Sequence, residues 1–375
     1  MITGAGLVGG EESVPLAPPD KQPEKLKVEL ASPKKIGWAI VGLGQLALEE
    51  IMPAFAGCKL AEPVALVSGH RDKAIEVAKA YGIPEDAIYN YDSFDRLAED
   101  KRIDVIYIVL PNSMHAEFTI RALKAGKHVL CEKPMAVTIE EAESMDEAAK
   151  KSGKKLGIAY RLHYEPMNRQ VMEWCRSKHF GRIKAFTSNN CQNVEAPNIR
   201  LSAKLGGGPV GDVGVYSINA ARYVLNEEPT EVSAFASQPK DDPRFREVPE
   251  SVTFVMKYPS GAVASCLCSF GTAESRQYRV HCEKGSIDMD PAFSYRGLKL
   301  RTLSKDEDQE KSPTKVTDFM IDAVNHFTQE MDGFSRAVLD DAEVLTPAGL
   351  GIADMKIVTA IARSIETGGP VKVTD

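Results

Sequence analysis

The stretch Ala39-Ile40-Val41-Gly42-Leu43-Gly44-Gln45-Leu46-Ala47 decides how this chain folds. An apolar run ends on two glycines one residue apart, and a small residue follows at the third position after the second: the pattern G-x-G-x-x-A. Between a strand and a helix, the first glycine permits a tight turn and the second lets the backbone approach a pyrophosphate. The small third residue lets the helix sit close to the strand. The helix N-terminus then offers free N–H groups and a partial positive charge to phosphate oxygens. In any other context these residues form an ordinary glycine-rich turn, so the flanking pattern carries the argument.

The flanks are regular. Apolar residues 38–41 precede a helix-like stretch 46–55, and 63–67 precede 71–81. The rhythm repeats with 105–110 and 113–125, 129–130 and 139–152, then 156–160 and 166–177. Ser113 ahead of one periodic run and Ala125-Gly126 behind it mark helix ends. Short apolar strands alternating with helices predict a parallel sheet covered on both faces. The expectation is an α/β chain whose residues 36–160 form a Rossmann domain, a doubly wound parallel sheet.

Beyond about residue 180 the pattern changes. Residues 184–190, 231–235, 252–258, 263–270, 278–282 and 298–303 alternate or run apolar between turns, and Pro259-Ser260-Gly261 joins two of them as a hairpin would. Residues 161–375 are therefore expected to form an α+β domain with an open-faced, mainly antiparallel sheet. Such a sheet leaves one face free for a partner. Helices are predicted over 319–335 and 350–367, placed to pack back on the Rossmann domain, and the charged stretch 304–315 reads as a solvated loop. Residues 1–35 form an arm punctuated by Pro15, Pro18, Pro19, Pro23 and Pro33, either extended or a disordered tail.

Composition narrows the classes. With 375 residues, 43% hydrophobic and 26% charged, the chain is an ordinary globular protein large enough for two cores. A net charge of −7 gives no electrostatic reason to expect nucleic acid or an anionic membrane as partner. No apolar run is long enough to span a bilayer. Seven cysteines without C-x-x-C spacing read as reduced thiols, with Cys266 and Cys268 on one face of a strand in the core. Seven histidines show no ligand spacing, so no metal is expected. Residues 1–10 lack a basic segment and do not read as a signal peptide. The chain as it stands reads as cytoplasmic, or periplasmic had a signal peptide been removed ahead of it.

Three further clusters carry chemistry. Cys131-Glu132-Lys133-Pro134 follows a short apolar run, which puts Lys133 at the carboxyl edge of the sheet, where open α/β sheets bind ligands. An ammonium there can polarise a sugar hydroxyl or hold a carbonyl oxygen during hydride transfer; alone, a lysine before a proline is a surface turn. The run Gly206-Gly207-Gly208-Pro209-Val210-Gly211-Asp212-Val213-Gly214-Val215-Tyr216 places Asp212 and Tyr216 one helical turn apart. Asp212 is also a credible helix N-cap, and Tyr216 is either a general acid/base or a half-buried structural tyrosine. The second strand ends Ser68-Gly69-His70-Arg71-Asp72-Lys73, with a hydroxyl and cations where an NAD site carries an acid. That favours NADP, although Arg71 and Lys73 also read as surface charges opening a helix. Glu62 comes too early in the strand to be the missing acid.

Taken together, these residues resemble the Gfo/Idh/MocA oxidoreductase family, the glucose–fructose oxidoreductase, inositol dehydrogenase and rhizopine-catabolism group, in its glucose–fructose oxidoreductase branch. The resemblance runs from Ile36 to the C-terminus and is dense at 39–48, 68–73, 88–91, 108–117, 125–136, 160–168 and 206–219. It implies cofactor contacts from Gly42, Gly44, Gln45, Leu46, Ser68, Gly69, His70, Lys73, Tyr91, Pro111, Asn112, His115, Glu132, Lys133, Arg161 and Arg200. It makes Lys133 the substrate-polarising residue, Asp212 an orienting acid and Tyr216 the proton donor and acceptor. Many relatives carry histidine at position 216, so tyrosine points to the sugar branch. The resemblance further implies that the arm crosses to a partner subunit and covers the adenosine end, so that NADP is tightly bound. The chemistry is then ping-pong, one aldose leaving as lactone and a second sugar as alditol, in a homodimer or homotetramer built through the open sheet. An aldose dehydrogenase or anhydro-sugar reductase with exchangeable NADP is the first alternative. A non-catalytic NADP-binding regulator is the second, against which the presence of Lys133, Asp212 and Tyr216 argues.

Overall fold

The computed structural model describes residues 34–305 and 314–373. The Pro-rich arm lies outside them, as does most of the charged stretch 304–315. The first sheet has six strands: β1 (Ile36–Val41), β2 (Ala61–Val67), β3 (Ile88–Tyr89), β4 (Val105–Ile108), β5 (His128–Cys131) and β6 (Leu156–Ile158). Their order is β3-β2-β1-β4-β5-β6, and β1 pairs in parallel with both β2 and β4. The winding therefore reverses at β1, which opens a crevice at the carboxyl ends of β1 and β4. Every residue of β1 is buried, as a strand covered on both faces requires.

Four helices belong to this sheet: α1 (Met52–Ala54), α2 (Arg71–Tyr81), α3 (His115–Lys124) and α4 (Ile139–Ser152). α2 and α4 end on Gly82 and Gly153 in the left-handed conformation, and the Thr138 hydroxyl accepts from the Glu141 N–H at the start of α4. The single helix expected over 46–55 is instead a π-helical turn, Ala47–Ile51, running into α1 and a short 3₁₀ turn.

α5 (Pro166–Arg176) begins with Glu165 accepting from the N–H groups of Met167 and Asn168. There follow β7 (Ile183–Asn193), α6 (Val215–Leu225), β8 (Glu231–Ser237), β9 (Ser251–Lys257), β10 (Val263–Ser269), β11 (Gly271–Cys282), β12 (Gly285–Met289), β13 (Leu300–Lys305), β14 (Thr314–Phe319), α7 (His326–Leu339), α8 (Ala348–Thr367) and β15 (Val371–Lys372). The second sheet runs β14-β13-β12-β11-β7-β10-β9-β8-β15, antiparallel except where β10 lies parallel to β7. The β9–β10 hairpin turns at Pro259-Ser260-Gly261, with Gly261 at φ +84°. One face packs on α5, α6 and α8; the other shows Phe235, Val255 and Val263, with Phe235 71% exposed.

The helix expected over 319–335 begins only at His326. Residues 314–319 pair with β13 instead, and Asn325 caps α7 by accepting from the Phe327 and Thr328 N–H groups. α7 completes the first core: the Trp38 indole N–H donates to Ser335 Oγ at 3.0 Å, and its ring meets Phe334 edge-on at 5.7 Å. None of the seven cysteines is in a disulfide, and Cys266 and Cys268 are buried in the core. Among the described residues no helix is long and apolar enough to cross a membrane.

Candidate active site

The crevice at the switch point opens into a cleft of about 980 Å³ between the two sheets. Gly42 and Gly44 serve it differently. Gly42 sits at φ +96°, and a side chain there would collide with the Val109 carbonyl, so the turn itself demands glycine. A side chain on Gly44 would meet nothing within 4 Å among the described residues. Its bare backbone faces open cleft, which is what a closely approaching pyrophosphate needs.

Gln45 and Leu46 continue that wall, and Ser68, Gly69, His70, Lys73 and Tyr91 form the next. The Ser68 hydroxyl accepts from the His70 N–H at 3.1 Å, and Tyr91 lies over Gly69. The Lys73 ammonium folds back to the Leu43 carbonyl at 3.2 Å, whereas Arg71 points away toward Glu85 at 4.0 Å. Pro111 and Asn112 lie across the cleft, Asn112 donating to the Gly206 carbonyl at 2.8 Å. His115 is the exception among the expected contacts. It is buried behind the wall, its ring nitrogens 2.8 Å from the Pro134 carbonyl and 2.9 Å from that of Leu110. It braces the two loops that carry Asn112 and Lys133 rather than lining the cleft.

Lys133 emerges just past β5 and meets residues that are distant in sequence. Its ammonium donates to the Asp212 carbonyl at 3.0 Å, pairs with the Asp212 carboxylate at 3.3 Å and stands 4.8 Å from the centre of the Tyr216 ring. Burial disfavours its charge, but Tyr216, Asp212 and Glu132 around it hold its pKa above the ordinary lysine value. Asp212 is not a helix cap. It lies within a π-helical turn, Val210–Gly214, that feeds α6, and π turns recur at functional sites. Its other oxygen accepts from Arg200 at 2.7 Å. Burial alone would raise the Asp212 pKa, yet Lys133 and Arg200 outweigh it and hold the carboxylate below its usual range.

Arg161 joins the group from the other side, its guanidinium 5.3 Å from the Tyr216 ring and 4.6 Å from that of Tyr295. Lys133 and Arg161 thus place two cations over one phenol ring. The substrate half of the cleft holds residues that the sequence reading passed over: Asn190, Gln192 and Asn193 on β7, with Arg276, Phe293 and Tyr295. The unusual run Ser188-Asn189-Asn190-Cys191-Gln192-Asn193, five polar residues of six in a strand, was the available signal. Amides at alternate positions give one face both donors and acceptors, which suits a polyhydroxyl ligand.

A dinucleotide loop opposed across a cleft by a lysine, a carboxylate and a tyrosine is the arrangement of an oxidoreductase. More narrowly, the chain belongs to the Gfo/Idh/MocA family. Residues 36–160 match the family described as an oxidoreductase family with an NAD-binding Rossmann fold, and 168–288 match the GFO/IDH/MocA C-terminal domain. The aldose–aldose oxidoreductase of Caulobacter crescentus is a similar solved structure, 38% identical with TM-score 0.85, covering 90% of this chain and all of that one. The NADP(+) D-xylose 1-dehydrogenase of Haloarcula marismortui is 28% identical over 92% of this chain and 95% of its own length. The 1,5-anhydro-D-fructose reductase of Ensifer adhaerens is 26% identical over 88% of this chain and 99% of its own.

Proposed function

We propose that the protein is an NADP-dependent sugar oxidoreductase in which an aldose is oxidised at C1 to its lactone and a second sugar is reduced to its alditol without release of the nucleotide. The observation that carries this reading is Lys133, held by Asp212 and facing Tyr216, opposite the Gly42–Gly44 loop. Ser68 just past β2 and Lys73 in the first turn of α2 suit a 2′-phosphate. The names of the relatives support a sugar substrate and NADP.

NADP held by the Gly42–Gly44 loop, Ser68 and Lys73 would supply the hydride acceptor and donor; the chain supplies the rest. Lys133 holds the reacting sugar oxygen, and Tyr216 takes the hydroxyl proton as the carbonyl forms. Asp212 fixes the ammonium, and Arg200 fixes Asp212. In the second half Tyr216 gives its proton to the carbonyl oxygen of the acceptor sugar, and Lys133 again holds that oxygen. The amide wall on β7 orients the remaining hydroxyls. The apolar residues on the open face of the second sheet serve a homodimer or homotetramer contact.

Protein purified without added nucleotide tests the reading. Denaturation should release NADP, identifiable by mass spectrometry, and glucose added to the intact protein should raise the near-ultraviolet absorbance of reduced nicotinamide. Glucose with fructose should then yield lactone and alditol in equal amounts. A nucleotide-free protein that oxidises sugar only with added NADP would instead be an aldose dehydrogenase with exchangeable cofactor.

A further inference from the structure

One buried carboxyl group takes no part in the chemistry above. Glu330, on α7, is fully buried beneath the first sheet. Its Oε2 lies 3.4 Å from the hydroxyl of Tyr107 on β4, and its Oε1 has no hydrogen-bond partner among the described residues. The same hydroxyl lies 2.9 Å from Oε1 of Glu132. The other Glu132 oxygen accepts from the Lys133 main-chain N–H at 3.2 Å, and Glu132 lines the cleft. A hydrogen-bonded chain thus runs from the cleft wall, through the sheet, to the helix behind it.

The protons in this chain can be counted. A phenol has one proton to give. Two ionised carboxylates around it would need two, and Glu330 would keep an unpartnered anionic oxygen in the core, which is strongly unfavourable. One additional proton resolves this: a protonated Glu330 donates to the Tyr107 oxygen, and Tyr107 donates to Glu132. The donors decide which carboxyl carries it. Burial raises both carboxyls, but Glu132 receives two donors and the Lys133 charge, whereas Glu330 shares one phenol and no other donor among the described residues. The Arg161 charge acts on Glu330 through space but is outweighed by burial and by Glu132; its hydrogen bonds go to the Phe293 and Ser294 carbonyls and the His326 ring, and its Nε has no partner among the described residues. Burial, reinforced by the nearby Glu132 charge, pushes the Glu330 carboxyl well above the usual carboxylate range.

We propose that Glu330 is kept as a neutral carboxylic acid which, through Tyr107, holds the Glu132 carboxylate ionised and in place on the cleft wall. Glu330 is a positioning residue that reaches no substrate. Its effect on turnover rests on the function proposed above; the proton count does not.

Infrared spectroscopy of the protein with isotope-labelled glutamate tests the protonation at neutral pH. The wild type should show the carbonyl stretch of a buried carboxylic acid, and E330Q should lose it. A Glu330 that contributes only carboxylate bands overturns the proposal. Kinetics test the positioning. E330Q keeps a neutral donor of the same shape, whereas E330M keeps volume and gives Tyr107 no donor. E330Q should retain kcat and the acid limb of its pH profile. E330M should lower kcat by about threefold to tenfold, the worth of one net hydrogen bond. It should also move the acid limb to higher pH with KM for the sugar unchanged, because a phenol no longer polarised by a donor supports Glu132 less well. Identical behaviour of the two variants overturns the positioning role. The infrared arm needs no turnover, so it remains decisive even if the proposed sugar chemistry fails.

Discussion

The ammonium of Lys133 stands 4.8 Å from the centre of the Tyr216 ring, and the same nitrogen is tied to Asp212, one helical turn before Tyr216. A residue at the edge of the first sheet and a helix covering the second are thereby locked into one constellation.

Tyr216→Phe should therefore remove the proton carrier and little else. Turnover of aldose should fall by about 10²–10⁴, the usual worth of a positioned general acid/base, with fold and nucleotide content unchanged. Steady-state rates, with mass spectrometry of the bound nucleotide, check this. Near-normal turnover would remove Tyr216 from the mechanism.

Lys73 folds over the glycine loop and Arg71 does not. Lys73→Ala should weaken NADP binding by about tenfold to a hundredfold, from the ~1.5–3 kcal/mol of a hydrogen bond to a charged group. NAD binding and Arg71→Ala should show little change. Calorimetric titration of stripped protein with both nucleotides separates the cases.

The two loop glycines should separate stability from binding. Gly44→Ala adds a methyl in open space, so thermal stability should stay within about 0.5 kcal/mol of wild type while nucleotide affinity drops. Gly42→Ala puts a side chain against the Val109 carbonyl at φ +96° and should destabilise the fold itself. Melting curves with and without NADP distinguish the two variants.

Asp100 accepts from the Arg102 guanidinium and the Tyr89 hydroxyl, and the Arg102 bonds hold its carboxyl down to about 2. The folded value lies below the ordinary one of about 3.9, so this stabilisation is complete above pH ~4 and is lost as pH falls toward about 2. Asp100→Asn should melt below wild type at neutral pH, and the gap should start to close as the pH drops past 4. A gap that widens on acidification would contradict the sign.

Phe334 fills the space between Trp38 and Gly157 beneath the first sheet. Phe334→Ala should cost about 3–5 kcal/mol, the range for truncating a buried aromatic. Denaturant unfolding followed by tryptophan fluorescence measures it.

Much of this was legible in local pattern. Helices Arg71–Tyr81 and Ile139–Ser152 lie where their apolar periods put them, and the glycine loop falls between β1 and the helix that follows, as its spacing requires. β3 is two residues long, too short for any period to show. β14 was hidden because its alternation adjoins a helix whose real start depends on the Asn325 cap. His115 was expected at the cofactor and instead braces two loops, a difference that depends on which carbonyls come near its ring.

The amino-acid order alone determined the doubly wound sheet and the position of the dinucleotide loop, which follow from backbone preferences and hydrophobic periods that act over a few residues. It marked Lys133, Asp212 and Tyr216 as candidates through their flanking motifs and the family resemblance. Tertiary structure alone decided that Lys133 meets Tyr216, that Arg161 lies between two phenol rings and that Glu330 reaches Glu132 through Tyr107. Each joins residues far apart in the chain, and only the burial of both sheets and the docking of α7 bring them together.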